Sequence, residues 1–371
     1  MSEGEFSLAN INAKIKESGA LWQAAVTSVS KLSVEERKSR LGLIPTNPEL
    51  KMIKQFGLDK PIGSPSRSPP KSKKANPGNV SVPASIDWRN VNGVNWTTPI
   101  KNQGACGSCV AFGTVAALEA LLKIRAYQDQ NKVVDLSEAH LLFCGGGSCS
   151  GWHMNHACEY LKNNGVPDEA CFPYSKGLQT KSCTPCSDWK NRLDHTIIPS
   201  WSNTKDVQQM KPKIANNGPQ TTGMAVYTDF FSYKSGIYKH VTGELEGYHC
   251  VAVVGYNDTG GYWICKNSWG TGWGENGWFR IAYGECGIQD VFGMWNMQVP
   301  SVKGCGYAQY LLVDYSFISA SRVLWVYAGN KWRHKVISDT QVAGIAKLLM
   351  ESSKVYACWE ENKLTFVRGF K

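Results

Sequence analysis

The sequence predicts an α+β protein with two lobes. Three observations carry this. Over residues 109–128 the apolar residues Phe112, Val115, Leu118, Leu122 and Ile124 recur at helical spacing. From Gln220 onward the pattern changes to short apolar strands and turns, with 250–255 and 262–265 joined through Asn257-Asp258-Thr259-Gly260-Gly261. A helical half thus precedes a β half in a chain of 371 residues, 42% of them hydrophobic, which is ample material for a core. Such a composition excludes disordered, collagenous and coiled-coil proteins. No run of eighteen apolar residues appears, so no transmembrane helix is expected.

Three segments separate by composition. Residues 1–60 read as helical, and Ser33 with Glu36 has the spacing of a capping box at the start of a short charged helix. Residues 61–81, rich in Pro, Ser, Lys and Gly, read as an extended linker open to proteolysis. Residues 82–303 form the main domain, with a short second helix expected over 137–143. Residues 304–371 read as a small separate unit, with strands at 310–317 and 322–327, a helix at 339–351 and two strands within 354–368. Met1 to Asn10 holds no apolar stretch of the signal-peptide kind.

The net charge of +10 lies in the flanks. Residues 1–80 carry +6 (13 basic, 7 acidic), 81–300 carry −1 (17 against 18) and 301–371 carry +5 (10 against 5). A nucleic-acid partner is therefore not expected for the central domain, which lacks a basic stripe. Thirteen cysteines suggest an oxidising compartment, such as a secreted, lysosomal or vacuolar one, and their odd number leaves at least one thiol unpaired. Disulfides plus one special thiol is one reading. Structural zinc on Cys183-Thr184-Pro185-Cys186 with Cys171 or His156 is the other, and a single C-x-x-C pair is a weak zinc signature.

Three local patterns point to nucleophilic chemistry. In Gln103-Gly104-Ala105-Cys106-Gly107-Ser108-Cys109, Cys109 opens the long helix, where free N–H groups and the helix dipole favour a thiolate. In Gly247-Tyr248-His249-Cys250, a histidine begins an apolar strand. In Lys266-Asn267-Ser268-Trp269-Gly270, Asn267 ends a strand where it can orient that imidazole, with Trp269 to shield the bond. Cysteine, histidine and an orienting amide make a nucleophile, a base and its support.

With these motifs in this order, residues 82–299 resemble the papain-like cysteine peptidases. Pro83-Ala84-Ser85-Ile86-Asp87-Trp88-Arg89, Cys149-Ser150-Gly151-Trp152, Gly236-Ile237-Tyr238 and the run from Asn267 to Gly277 strengthen the resemblance, and 226–244 is most similar to the cathepsin B branch. The resemblance implies the papain-like two-lobe fold, with a helical left lobe, a β-rich right lobe and a cleft between them. It implies Cys109 as nucleophile, His249 as general base and then acid, Asn267 as its orienter, and an oxyanion hole made by the Gln103 amide and the Cys109 N–H. It implies substrate contacts from Gly151, whose backbone would pair with an extended peptide, and from Trp152, Gly223, Tyr248, Trp269 and Val291. Residues 1–81 would be an inhibitory propeptide, here without the helix motif of the cathepsin L type, although Trp22 and the stretch 32–41 can dock on the peptidase. The implied disulfides are Cys106–Cys149 and Cys144–Cys183, with Cys171–Cys186 as a third and Cys305–Cys358 as a staple of the C-terminal unit. No metal or other cofactor is implied. Substrates are proteins or peptides, and a monomer is expected.

The sequence departs from the family pattern at several positions. Val110 stands where Trp is usual, and Trp152 replaces a second glycine, which predicts a narrowed S3 region. Cys250, Cys265 and Cys158 read as buried core thiols, and Cys286 has no matching cysteine between Ile237 and His249. The stretch 174–198 has no adjacent His pair, only His195, so the cleft is expected to be open at both ends. With Gly223 and Tyr248 as walls and Val291 at the base, the S2 pocket should prefer an apolar residue to Arg. Asp290 swinging inward is the alternative. A catalytically dead binding protein and an acyl transferase or ligase are the rival functions.

Overall fold

The computed structural model describes residues 7–62, 82–127 and 129–300, and in the C-terminal part the strands between 303 and 370. The linker from residue 63 and the expected helix at 339–351 lie outside the described residues. The chain divides into two compact units, Met1–Ile124 with Asp129–Val299, and Arg125–Gln128 with Pro300–Lys371.

The first unit opens with helix α1 (Leu8–Ser18), capped by the Ser7 side chain and closed by Gly19 in the left-handed region. Strand β1 (Trp22–Ala24), helix α2 (Val34–Lys38) and helix α3 (Asn47–Gln55) follow. The Ser33/Glu36 capping box forms as its spacing requires. The short β1 carries no periodic signal and was missed by pattern. It adds to the edge of the main sheet, with Trp22 opposite Gly236.

Next come β2 (Ser85–Asp87), α4 (Cys109–Leu121), α5 (Met154–Asn163), α6 (Tyr174–Thr180), β3 (Ser200–Thr204) and α7 (Val207–Asn217). Then follow β4 (Gln220–Tyr227), β5 (Tyr233–Tyr238), β6 (Leu245–Asn257), β7 (Tyr262–Lys266), β8 (Trp278–Ala282) and β9 (Met294–Gln298). The α-helix expected to reach residue 128 ends at Leu121, and Leu122–Tyr127 continues in π-helical turns. The sheet runs β1-β5-β8-β7-β6-β4-β9-β3, with β2 paired to β6. Its pairs are antiparallel except β5 with β8.

Helix α4 is buried all round except at Ala116, as a mostly apolar helix must be, and its one charged side chain, Glu119, is held by Lys101 and Thr98. It packs against β4 and β6. Gly113 permits the close approach, because a Cβ there would stand 2.9 Å from the Cys250 sulfur. The missing side chain brings the start of α4 and the strand carrying His249 together. On the β side, Phe230, Tyr233, Tyr238, Trp269, Trp273 and Phe279 form an aromatic core in which Phe230 meets Tyr238, Trp269, Trp273 and Phe279 edge to face, and Trp22 of β1 joins it, 5.1 Å from the Tyr238 ring.

Three disulfides tie the helical side: Cys106–Cys149, Cys144–Cys183 and Cys171–Cys186. They consume the sulfurs that the zinc reading required. Cys158, Cys250 and Cys265 are buried thiols.

The second unit contains β10 (Lys303–Tyr307), β11 (Tyr310–Ser316), β12 (Ser321–Ala328), β13 (Lys331–Ile337), β14 (Lys354–Glu360) and β15 (Lys363–Phe370). They form one sheet in the order β10-β14-β15-β13-β12-β11. The sequence pattern indicated β11, β12, β14 and β15 but neither β10 nor β13. Cys305 and Cys358 are register partners on β10 and β14; their side chains lie outside the described residues. Among the described residues no helix is long and apolar enough to cross a membrane.

Candidate active site

Cys109 begins α4 and is fully buried. His249 lies on β6, and the N–H of the next residue, Cys250, is directed to the Cys109 sulfur. His249 Nε2 is 2.8 Å from Asn267 Oδ1. The same oxygen accepts the Ser268 N–H at 2.8 Å, which fixes which end of the amide faces the ring. Nε2 therefore carries the proton, and Nδ1 is left as the basic nitrogen. Trp269 covers this pair, its ring 4.7 Å from the imidazole and almost fully buried.

Gln103 is buried, and its Oε1 accepts the Ser268 hydroxyl at 2.7 Å, so its Nε2 points the other way. That amide donates to the Cys106 carbonyl at 2.8 Å and to the Arg40 carbonyl at 3.0 Å.

The cleft is filled by residues 40–44 of the N-terminal segment. The Gly42 N–H points at Cys109 Sγ, 3.3 Å away. The Trp152 N–H donates to the Gly42 carbonyl at 2.8 Å, and the Ile44 N–H donates to the Trp152 carbonyl at 3.0 Å. The Leu43 N–H donates to the Tyr248 carbonyl at 3.2 Å. The Leu43 pairing with Trp152 is parallel. Arg37 stacks on Phe231 and Lys38 pairs with Glu246, which ties the preceding helix to the β lobe.

The backbone that pairs with the extended segment is that of Trp152. Gly151 instead donates to Ser148, and its role is to leave space, since a Cβ on it would stand 2.6 Å from the Gly42 carbonyl oxygen. The Trp152 indole lies back on Gly145 and Gly147, where missing side chains make room for it.

The Leu43 side chain enters a pocket at Gly223, and the ring it meets there is Phe292, which the sequence reading did not name. Tyr248 packs near Phe292 with ring centroids 5.8 Å apart. Val291 is fully buried and lies against Gly287. Burial raises the Asp290 carboxyl above its ordinary range.

The electrostatics are those of a closed site. Burial pushes the Cys109 thiol up to about 11, only partly offset by the N–H groups of Cys250, Gly42, Val110 and Cys109. Burial takes the His249 imidazole down to about 4, against the opposing pull of its bond to Asn267. Both groups are neutral near pH 7, and the arrangement holds a thiol beside an imidazole, shut off from water.

Residues 82–294, more than half of the chain, match the family model described as papain family cysteine protease. The chain is 38% identical to bovine cathepsin S over 227 residues, spanning 57% of this chain and 64% of that protein. It is 34% identical to cathepsin B of Dictyostelium discoideum over 250 residues, spanning 61% and 78%. Among solved structures it is similar to the digestive procathepsin L2 proteinase from Tenebrio molitor larval midgut (TM-score 0.60, 26% identity, 78% of this chain and 88% of that one). The fold is also that of the procathepsin B S9 from Trypanosoma congolense (TM-score 0.61, 23% identity, 80% and 99%). The site built from Cys109, His249, Asn267 and Gln103 therefore stands in a chain that belongs to the papain family of cysteine proteases.

Proposed function

We propose that this chain is the proform of a cysteine endopeptidase with an apolar preference at P2, inhibited by its own N-terminal segment. The observation that carries this is the seating of residues 40–44. Arg40 gives its carbonyl to Gln103 Nε2, Gly42 lies against Cys109 Sγ, and Leu43 enters the pocket at Gly223. The segment presents an N–H to the sulfur where a substrate would present a carbonyl carbon. It lies extended along the cleft, parallel to Trp152.

With the segment removed, Cys109 Sγ attacks the scissile carbonyl and His249 accepts the thiol proton. The carbonyl oxygen becomes an oxyanion held by Gln103 Nε2–H and the Cys109 N–H. His249 returns the proton to the leaving amine, which departs and leaves a thioester on Cys109. Water, deprotonated by His249, hydrolyses that thioester. Asn267 keeps the imidazole in the required tautomer throughout. Leu43 supports the P2 preference, because a wall made by Gly223 and the Phe292 ring offers no counter-charge to a guanidinium. Cys171–Cys186 closes a short loop, which supports a cleft open at both ends.

The full chain should be incubated until the N-terminal segment is cleaved and then treated with a thiol-directed peptidyl epoxide. Covalent labelling should appear only after cleavage and be absent in Cys109→Ala. Labelling of the intact chain at the same rate would overturn the autoinhibited reading. Cleaved chain that neither labels nor hydrolyses a Leu-P2 peptide would overturn the peptidase reading.

A further inference from the structure

The loop from Gln103 to Cys109 has one task in the proposed reaction. It must hold Gln103 Nε2 and the Cys109 N–H so that both reach one oxygen atom. Its residues resist this poorly. Gly104, Ala105 and Gly107 are small, and Gly104 has a φ of +63°, so the chain between the two donors is inherently pliant. The Cys106–Cys149 bond anchors the middle of the loop, and Ser268 holds the Gln103 end through its carbonyl, 2.9 Å from the Gln103 N–H, but neither contact links Gln103 to the residue before the second donor.

Both ends meet at the hydroxyl of Tyr174, the first residue of α6. Tyr174 Oη is 2.8 Å from the Gln103 carbonyl oxygen and 2.6 Å from Ser108 Oγ. The proton assignment follows from the chemistry. A carbonyl oxygen only accepts, so the single phenolic proton goes to the Gln103 carbonyl, and the Ser108 hydroxyl donates to Tyr174 Oη at 2.6 Å in preference to the Cys106 carbonyl at 3.4 Å. The hydroxyl thus joins the residue carrying the first oxyanion donor to the residue immediately before the second. Tyr174 is itself fixed. Its ring stands edge-on to Phe112 of α4, with centroids 4.8 Å apart and planes at 90°, and its N–H is bound by Glu169 at 2.6 Å. Burial pushes its hydroxyl up to about 12, so it remains a donor across the neutral range.

We infer that Tyr174 is a positioning residue that sets the spacing of the two oxyanion donors by clamping Gln103 and Ser108 to one hydroxyl. The inference rests on the reading of Gln103 Nε2 and the Cys109 N–H as those donors. Tyr174 touches neither the substrate nor the sulfur. It acts through the loop, so it matters where charge develops on the carbonyl oxygen and not where the sulfur merely reacts.

The test compares activated wild type with Tyr174→Phe, which keeps the ring and removes the clamp. The expected result is a fall in kcat of about tenfold with KM changed less than about twofold, smaller than the loss on deleting an oxyanion donor outright. A peptide aldehyde, whose oxygen becomes the oxyanion when Cys109 Sγ adds to its carbon, should lose affinity by a similar factor. The rate of Cys109 alkylation by iodoacetamide, which develops no oxyanion, should stay at the wild-type value. In a Gln103→Ala background, Tyr174→Phe should add little, since one donor is already gone. Ser108→Ala, which removes the other half of the clamp, provides the same readout if Tyr174→Phe fails to fold. Unchanged kcat and aldehyde affinity in either variant, or alkylation falling in parallel with kcat, would overturn the inference while leaving the peptidase reading intact. An activated wild type without peptidase activity would overturn both.

Discussion

The amide N–H of Gly42 and the sulfur of Cys109 face each other at 3.3 Å, and the Gly107 backbone leaves no room for a Cβ on Gly42. A methyl group on its Cα would overlap the Gly107 carbonyl of the loop leading to Cys109. The contact with the sulfur and the identity of this glycine are the same fact. Any side chain lifts the segment off the sulfur, and Trp152, which holds the Gly42 carbonyl, would lose its partner with it.

Gly42→Ala should therefore loosen the proform without harming the peptidase domain. The strain of overpacking here is about 1–3 kcal/mol, or roughly five- to 150-fold in the affinity of the segment. A synthetic segment peptide carrying the substitution should inhibit the activated enzyme that much less well than the natural one. Equal inhibition constants would refute the close packing of Gly42 against the loop.

Leu43 and Gly223 predict selectivity at P2. A Cβ on Gly223 would strike both the Leu43 side chain and the Phe292 ring, the nearest ring atom standing 2.8 Å away. Gly223→Ala should cost Leu-P2 and Phe-P2 substrates about tenfold or more in kcat/KM and spare Ala-P2 or Val-P2 substrates. In the unaltered enzyme, Leu or Phe at P2 should exceed Arg in a series with the P1 residue fixed. Cleavage of the Arg-P2 substrate at an equal or higher rate would remove Leu43 as a guide to the pocket and point to Asp290 as a counter-charge.

What the sequence revealed and what it hid divide along a physical line. Cys109 and Asn267 stood out as candidates because each stands at the end of a periodic element, Gln103 by its spacing ahead of Cys109, and His249 by the apolar run that follows it, although β6 begins earlier, at Leu245. The capping box at Ser33 follows from residue types alone. Leu43, Phe292 and Tyr174 were not legible, since their roles arise from contacts between residues distant in the chain. Tyr174 meets Gln103 across 71 positions. Strand β1 was hidden for another reason: three residues have no period, and Trp22 is held by the rings of β5 and not by its own neighbours. Local spacing says which residues line a cleft but not which of two adjacent amides faces it, and the amide that meets the N-terminal segment is that of Trp152.

The C-terminal sheet makes a separate prediction. Cys305 and Cys358 are directly paired across the antiparallel strands β10 and β14. Opposed positions on such strands have Cβ atoms about 4.5–5.5 Å apart, close to the separation a disulfide spans. With three bridges formed in the first unit and thirteen cysteines in all, a fourth bridge here leaves five thiols. Alkylation under denaturing, non-reducing conditions should label five cysteines per chain, and Cys305→Ser should raise the count to six. Seven labelled cysteines in the unaltered chain would exclude the staple.

Acid should release the N-terminal segment, and the sign follows from His249. Its imidazole ordinarily titrates near 6.5 and is held down to about 4 beneath the segment. A chain with the segment detached, or unfolded, takes up that proton as the pH falls through 6.5, whereas the closed form resists it until about pH 4. The closed form is therefore fully stabilised above about 6.5 and loses that stability progressively between 6.5 and 4, by at most about 3 kcal/mol from this one group. Burial alone also holds His140 down to about 4, so it adds destabilisation of the same sign. His140 packs against Tyr160 and Trp189 on the helical side, so its effect is on unfolding as a whole and not on the segment. At the alkaline end Cys109 reverses the sign: a thiol raised from about 9 to about 11 costs the closed form stability as the pH rises through that range. The two effects can be separated experimentally. Binding of the segment peptide to the activated Cys109→Ala enzyme, followed by calorimetry at pH 7 and pH 5, should weaken at pH 5 and release protons on binding there. In His140→Leu the acid slope of the full chain's Tm should flatten, while the pH dependence of segment binding stays as in the parent. Segment binding of equal strength at both pH values, with no proton released, would show that the neutral His249 is not what the closed form requires.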